Sequence, residues 1–138
     1  MIRRARQADM DTVLAIRARV FIEEQGVSKA DERDGRDDEA IHLIAFAADQ
    51  PVGTARLILD GETGKIGRVA VLSEHRGAGL GKALVEKAVE VLASEAMTRA
   101  KLGAQTHAIG FYEALGFKVT GPEYMDAGIP HRDMVRAL

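Results

Sequence analysis

The sequence predicts an α+β fold in a single domain, with a mixed sheet packed against helices. Three observations support this. The chain has 138 residues, 46% hydrophobic and 29% charged, which suits one core and leaves no room for two. Its first half holds successive strand signals separated by turn residues. From residue 64 a strand gives way to a glycine loop and then to a helical repeat.

Taken in order, residues 2–6 form a short first strand. Asp9 stands where it can cap the next helix, whose apolar face is Val13, Ile16 and Val20. Phe21, Ile22 and Val27 carry the apolar signal to Gly26, and the helix is expected to break into two pieces before that glycine. Residues 28–40 hold six carboxylates, three basic groups and no large apolar residue. They read either as a solvated loop or as an acidic patch that draws a cationic amine. Residues 41–48 and 52–59 pair as a hairpin around Asp49-Gln50-Pro51, with the proline in a turn position.

A second turn, 60–64, leads into the central strand, where Ile66, Arg68 and Ala70 face one side and Val69 and Val71 the other. Gly77, Gly79 and Gly81 come next. Leu80, Leu84, Ala88 and Val91 then recur at helical spacing, with Ala83 and Leu92 beside them and Lys82, Glu86 and Glu90 on the wet face. After this helix the pattern gives a strand at 98–104 and a short helix at 107–115, ended by Gly116. Two closing strands, 117–120 and 131–135, flank a turn-rich stretch at 121–130.

Composition narrows the function. A net charge of −2 gives no field of the kind a nucleic-acid binder carries. Cysteine is absent, which excludes disulfides, thiolate metal sites and cysteine nucleophiles. His42, His75, His107 and His131 lie on separate elements without a His-x-x-x-His pair, so no metal site is expected. No apolar run has transmembrane length, and the first residues lack the apolar core of a signal peptide, so a cytoplasmic protein without membrane partners is expected.

The glycine loop is the strongest chemical signal. The first turn of a helix has N–H groups without intrahelical partners and carries partial positive charge. Glycines let the backbone approach a ligand, and Arg76 and Lys82 add full charges, so a pyrophosphate is the natural occupant. A P-loop needs glycine where Arg76 stands and a hydroxyl where Ala83 stands. Gly77-Ala78-Gly79-Leu80-Gly81 is one residue out of step with a dinucleotide-binding fingerprint. The pattern that fits is Arg-x-x-Gly-x-Gly, at Arg76, Gly79 and Gly81, directly after the strand residues Val69-Ala70-Val71.

This pattern resembles the acyl-CoA loop of the GNAT superfamily of N-acetyltransferases. Ala108-Ile109-Gly110-Phe111-Tyr112-Glu113-Ala114-Leu115-Gly116-Phe117 is similar to the late helix of that superfamily, in the same order and at the same separation. The resemblance implies a single domain over residues 1–138, with a mainly antiparallel sheet between helical layers. It implies acetyl-CoA as cosubstrate and no metal. Cofactor contacts would come from Val69, Ala70 and Val71 on the strand and from Arg76, Gly77, Ala78, Gly79, Leu80, Gly81 and Lys82 in the loop. Gln105, Phe111 and Tyr112 would complete them, with Gln105 standing where the family usually has asparagine.

By the same resemblance, a bulge or splay at Val69 and Val71 frees an N–H for the thioester oxygen and lets the pantetheine arm add to the sheet as an extra strand. Tyr112 would protonate the leaving thiolate. A phenol pKa of about 10 lies near enough to that of a thiol, about 8.5, to share a proton. From periodicity alone Tyr112 also reads as a ring packed in the core with its hydroxyl reaching water. Glu24 is the first candidate for the base and His42 the second, unless the amine loses its proton through water. The implied activity is direct acetyl transfer, through a ternary complex, to a primary amine of a small molecule (amino sugar, polyamine, amino acid or antibiotic) or a peptide. The protein would be a monomer or homodimer. The alternative is a non-catalytic acyl-CoA-binding sensor or partner module.

Overall fold

The apolar alternation of residues 41–71 folds as an antiparallel meander of β2 (Ile41–Ala47), β3 (Gln50–Asp60) and β4 (Thr63–Val71) in a computed structural model describing residues 1–138. The remaining strands are β1 (Ile2–Arg4), β5 (Arg99–Gln105), β6 (Lys118–Val119), β7 (Tyr124–Asp126) and β8 (Ile129–Ala137). They form one sheet in the order β1-β2-β3-β4-β5-β8-β6, with β7 also on β8. Every pair is antiparallel except β4 with β5. The long helix α3 (Leu80–Ser94) makes the crossover that a parallel pair requires.

Helices cover both faces of the sheet. On one side α3 buries Leu84, Val85, Ala88 and Leu92 against Leu43, Leu57 and Ile66. On the other, Ile16 of α1 (Met10–Arg17) and Val20 just beyond it pack on Ala70 and Leu72. Two shorter helices are α2 (Lys29–Glu32), which packs beside Ala18–Glu24, and α4 (Ile109–Glu113), which packs against β5 and β6. No helix is long and apolar enough to cross a membrane.

Several local expectations are corrected. Asp9 occupies the N-cap position of α1, but its side chain makes no cap hydrogen bond to that helix. Its carboxylate accepts from the Arg6 N–H at 2.7 Å and from the Arg3 guanidinium at 2.7 and 3.2 Å, and the Arg3 hydrogen bond pulls its pKa down to about 2. The helix does not break before Gly26; it continues from α1 in wider π-helical turns over Ala18–Glu24. The β2–β3 turn is Ala48-Asp49, both at positive φ (48° and 68°), because a two-residue turn of that hand matches the strand twist. Pro51 therefore lies inside β3, opposite Phe46, where the register slips and a missing N–H is tolerated. The stretch 121–130 contains a strand, β7, hairpinned onto β8 through Ala127 and Gly128. Residues 28–40 are mostly exposed, but they form two short helical turns and are anchored by Glu32, which is 1% exposed.

The central strand departs most from simple alternation. Thr54 pairs with Ala70 but Arg56 pairs with Gly67, so β4 carries one extra residue, and Arg68 there sits at φ 49°. The bulge reverses the facing of the later strand residues. Ile66, Val69 and Val71 pack on the α3 side, whereas Ala70 and Leu72 turn to the α1 side. Beyond Lys65 the β4 edge also loses its partner, since β4 and β5 pair only over Thr63–Lys65 and Arg99–Lys101.

Candidate active site

The gap between β4 and β5 opens into a cavity of about 730 Å³. Gly67, Arg68 and Val69 line it from β4, Gly103 and Gln105 from β5, and Tyr112 from α4. Antiparallel alternation sets the direction of the β4 backbone. Leu72 N–H donates to the Val52 carbonyl at 2.9 Å, so the N–H of its neighbour Val71 turns away from β3 toward the unpartnered edge. Val69, two residues earlier, points the same way. Bulge and splay together thus expose donors along the opening.

Arg68 needs support to stay in a left-handed conformation, which costs a bulky residue about 1–2 kcal/mol. Its guanidinium reaches the Glu32 carboxylate and the Glu32 carbonyl, both at 3.0 Å, and Asp34 at 3.4 Å. Glu32 also takes the fully buried Arg17 at 2.5 Å. Arg17 bonds Asp37 at 2.6 Å, Asp37 meets Arg56 at 3.2 Å, and Arg56 grips Asp34 through two bonds of 2.8 Å. Arg17, Glu32, Arg68, Asp34, Arg56 and Asp37 therefore close an alternating ring with no net charge. The hydrogen bonds from Arg56 hold the Asp34 carboxyl well below the ordinary range. Burial works to raise Asp37, but the hydrogen bond and charge of Arg17, joined by Arg56, bring it below its usual value. Glu32, Asp34 and Asp37 are thus spent on arginines rather than left to attract an amine.

Past β4 the chain makes one turn (Ser73–His75) and enters the glycine loop. Gly77 (φ 85°) and Gly79 (φ 81°) take left-handed conformations, with Gly79 at the N-cap of α3. A Cβ at either would meet open space, so nothing in the protein's own packing fills this cradle. Lys82 is exposed on the first turn of α3. The Arg76 Nε donates to the Val71 carbonyl at 2.9 Å, and its guanidinium pairs with both oxygens of Glu24 at 2.8 and 3.0 Å.

The two motifs meet in space. A Cβ on Gly81 would lie 3.8 Å from the Phe111 ring. Phe111 stands edge-on to Tyr112 at 5.0 Å, and Tyr112 edge-on to Phe117 at 6.1 Å. The Tyr112 ring packs against the core while the residue lines the cavity, and its hydroxyl has no bonding partner in the chain. The geometry is that of a packed ring at the cavity wall. Burial pushes its phenol above the ordinary value, which keeps it protonated.

Gln105 lines the cavity, but its amide is engaged: it donates to Gln25 at 2.9 Å, and its oxygen lies 2.7 Å from His107 Nε2. Glu24 and His42 are not brought to the cavity wall. Glu24 is held by Arg76, and His42 is buried with Nε2 at 2.9 Å from the Asp37 carbonyl. Sequence reasoning missed a group on the far wall. The Tyr124 hydroxyl donates to Asp133 at 2.7 Å, the Tyr124 ring stacks on His131 at 5.9 Å, and Lys101 approaches Asp133 at 3.5 Å. The signal was present in the turn pair Ala127-Gly128 and in the period-two spacing of His131 and Asp133. No group of three or more His, Asp or Glu side chains is placed to hold a metal ion.

Residues 8–138 match the family model described as acetyltransferase (GNAT) domain. The chain belongs to the GNAT acetyltransferase family. The uncharacterized protein YyaT of Bacillus subtilis is 41% identical over 135 residues, covering 96% of this chain and 91% of that protein. Protein ElaA of Escherichia coli is 33% identical over 131 residues, covering 91% of this chain and 86% of that one. The ElaA crystal structure superposes with a TM-score of 0.88 at 28% identity, covering 99% of each chain. An acyl-CoA N-acyltransferase from Pseudomonas aeruginosa superposes at 0.87 with 29% identity, covering 99% of this chain and 98% of that one. This GNAT protein is an acetyl-CoA-dependent N-acetyltransferase. Its residues fit that cosubstrate: an open strand edge with outward N–H groups leads to a glycine cradle flanked by Arg76 and Lys82.

Proposed function

We propose that this GNAT enzyme transfers the acetyl group directly to a primary amine of a small molecule or peptide, with both substrates bound together. The observation that carries the reading is the cavity running from the unpaired edge of β4 to Tyr112, in a chain with no cysteine to hold the acetyl group covalently. Acetyl-CoA, when bound, supplies an activated acyl group on a thiol leaving group. The backbone of Val69, Ala70 and Val71 offers the open edge, with N–H groups for the thioester oxygen, where charge develops. Gly77, Ala78, Gly79, Leu80 and Gly81 hold the pyrophosphate by backbone, with Arg76 and Lys82 supplying charge. Phe111 and Gln105 border the arm, and Tyr112 hands a proton to the departing sulfur.

In this account Glu24 is the resting partner of Arg76. Both side chains are well exposed (36% and 45%), and a surface pair of that kind is worth no more than about 1 kcal/mol, so Arg76 exchanges it readily for a phosphate. His42 serves as a contact of the clamped acidic segment. The test is thiol release from acetyl-CoA by the purified protein over amino sugars, polyamines, amino acids, antibiotics and peptides. Release that requires an amine, with one acetylated amine per thiol, is expected. If acetyl-CoA binds yet no amine stimulates release, the reading gives way to a binding module.

A further inference from the structure

We propose that His131 is the general base that takes the proton from the acceptor amine, a role that rests on amine acetylation in this cavity. Of the four histidines, His131 is the one that lines the cavity. It lies on β8 between Gln105 of β5 and Tyr124 of β7, with 9% of its surface exposed. Its Nδ1 is 2.7 Å from the Ile129 carbonyl oxygen. A carbonyl only accepts, so Nδ1 carries the hydrogen and Nε2 of the neutral ring keeps its lone pair.

Nε2 has no bonding partner in the protein, yet it is not sealed off. The side-chain atoms buried without a partner are His42 Nδ1 and Arg56 Nε. Nε2 is thus accessible, on a residue that lines the cavity. The ring is also fixed, because Tyr124 stacks on it at an interplanar angle of 22° and is itself held by Asp133 at 2.7 Å. Neither earlier candidate combines these features: Glu24 is tied to Arg76, and His42 lies outside the cavity wall with Nε2 against the Asp37 carbonyl.

The step balances without a further reagent. The amine lone pair forms the C–N bond to the acetyl carbon, and the C–S bond breaks with its electron pair going to sulfur. His131 Nε2 takes one proton from the amine nitrogen, Tyr112 gives one to sulfur, and exchange with water resets both side chains.

His131→Asn provides the test, since its side-chain amide can still donate to the Ile129 carbonyl but has nothing in place of Nε2. Three probe acceptors are used with acetyl-CoA: spermidine, glucosamine and a peptide with a free amino terminus. With the one that drives wild-type thiol release fastest, kcat should fall by about 10²-fold or more. Acetyl-CoA affinity and melting temperature should stay at wild-type values, and added imidazole should restore part of the rate to His131→Ala. In the free wild-type protein, nitrogen NMR should find neutral His131 protonated on Nδ1, a readout that requires neither variant to fold. Wild-type kcat in His131→Asn, a loss confined to acetyl-CoA affinity, or a proton on Nε2 overturns the proposal. If all three are silent, the probe is taken from the amino acids and antibiotics of the wider panel, and a wild-type enzyme silent with every amine overturns amine acetylation, and this base with it.

Discussion

On the proposed mechanism the Tyr112 hydroxyl supplies the proton for the leaving sulfur. Its ring is fixed between Phe111 and Phe117, so Tyr112→Phe removes a donor without removing a contact. Because burial raises the phenol, the group is protonated throughout the neutral range, as the proposed donor must be. Its deprotonation should not depress kcat until the pH exceeds about 10. In Tyr112→Phe, turnover should drop on the order of 10²-fold or more while acetyl-CoA affinity stays near wild type. Steady-state kinetics beside calorimetry measure the two separately. An acetyl thioester with a low-pKa thiol should return much of the mutant rate, since such a leaving group needs little proton assistance. Lost affinity with intact turnover would instead make Tyr112 a packing residue for the cofactor.

At the scale of elements, the glycine loop and the β4 bulge work as one unit, joined through the bond from Arg76 to the Val71 carbonyl. Gly81 is the cleanest position for testing the loop. A side chain there meets only an ordinary 3.8 Å contact with Phe111, whereas any side chain on Gly79 strains a left-handed backbone. Gly81→Asp should therefore fold and yet lose CoA binding by calorimetry, as its carboxylate enters the anion cradle. A folded Gly81→Asp protein with unchanged affinity would remove the loop from the site. The two elements differed in how well the sequence exposed them. The loop was legible because its glycines and the helical repeat beside them are contiguous. The bulge was implied by the resemblance alone and not by the residue pattern, because Arg68 is held in its conformation by Glu32 and Asp34, 36 and 34 residues away.

The whole molecule is drawn together by the arginine–carboxylate ring, which fastens α1, the acidic segment, β3 and β4 around the cavity. Asp34 and Asp37 have lowered pKa values when folded, so the unfolded chain takes up protons first as acid is added. Their stabilisation is complete above the ordinary carboxylate range and is lost as pH falls through the folded values. Arg56→Met should cost about 3 kcal/mol at neutral pH and flatten the acid limb of stability, measured by urea unfolding between pH 7 and 3. Parallel curves for the two proteins would show that Arg56 does not shift these carboxylates. At this scale the antiparallel strands 41–71, the long helix after them and the glycine loop could be read from local patterns, whereas the placement of β8 between β5 and β6 could not. The strand holding His131 and Asp133 was legible but Tyr124 was not, because a three-residue strand inside a turn-rich stretch gives too little periodicity, and only pairing with β8 brings it to the wall. The anchoring of segment 28–40 was hidden for a related reason: Glu32, Asp34 and Asp37 are balanced by arginines from distant elements. The central claim is that the open edge of β4 receives the acetyl-CoA arm, and amide hydrogen exchange measures it most directly. Adding acetyl-CoA should slow exchange at Val69 and Val71 while leaving Thr63–Lys65, already paired with β5, unchanged. Bound acetyl-CoA with unaltered exchange at both valines would contradict the account.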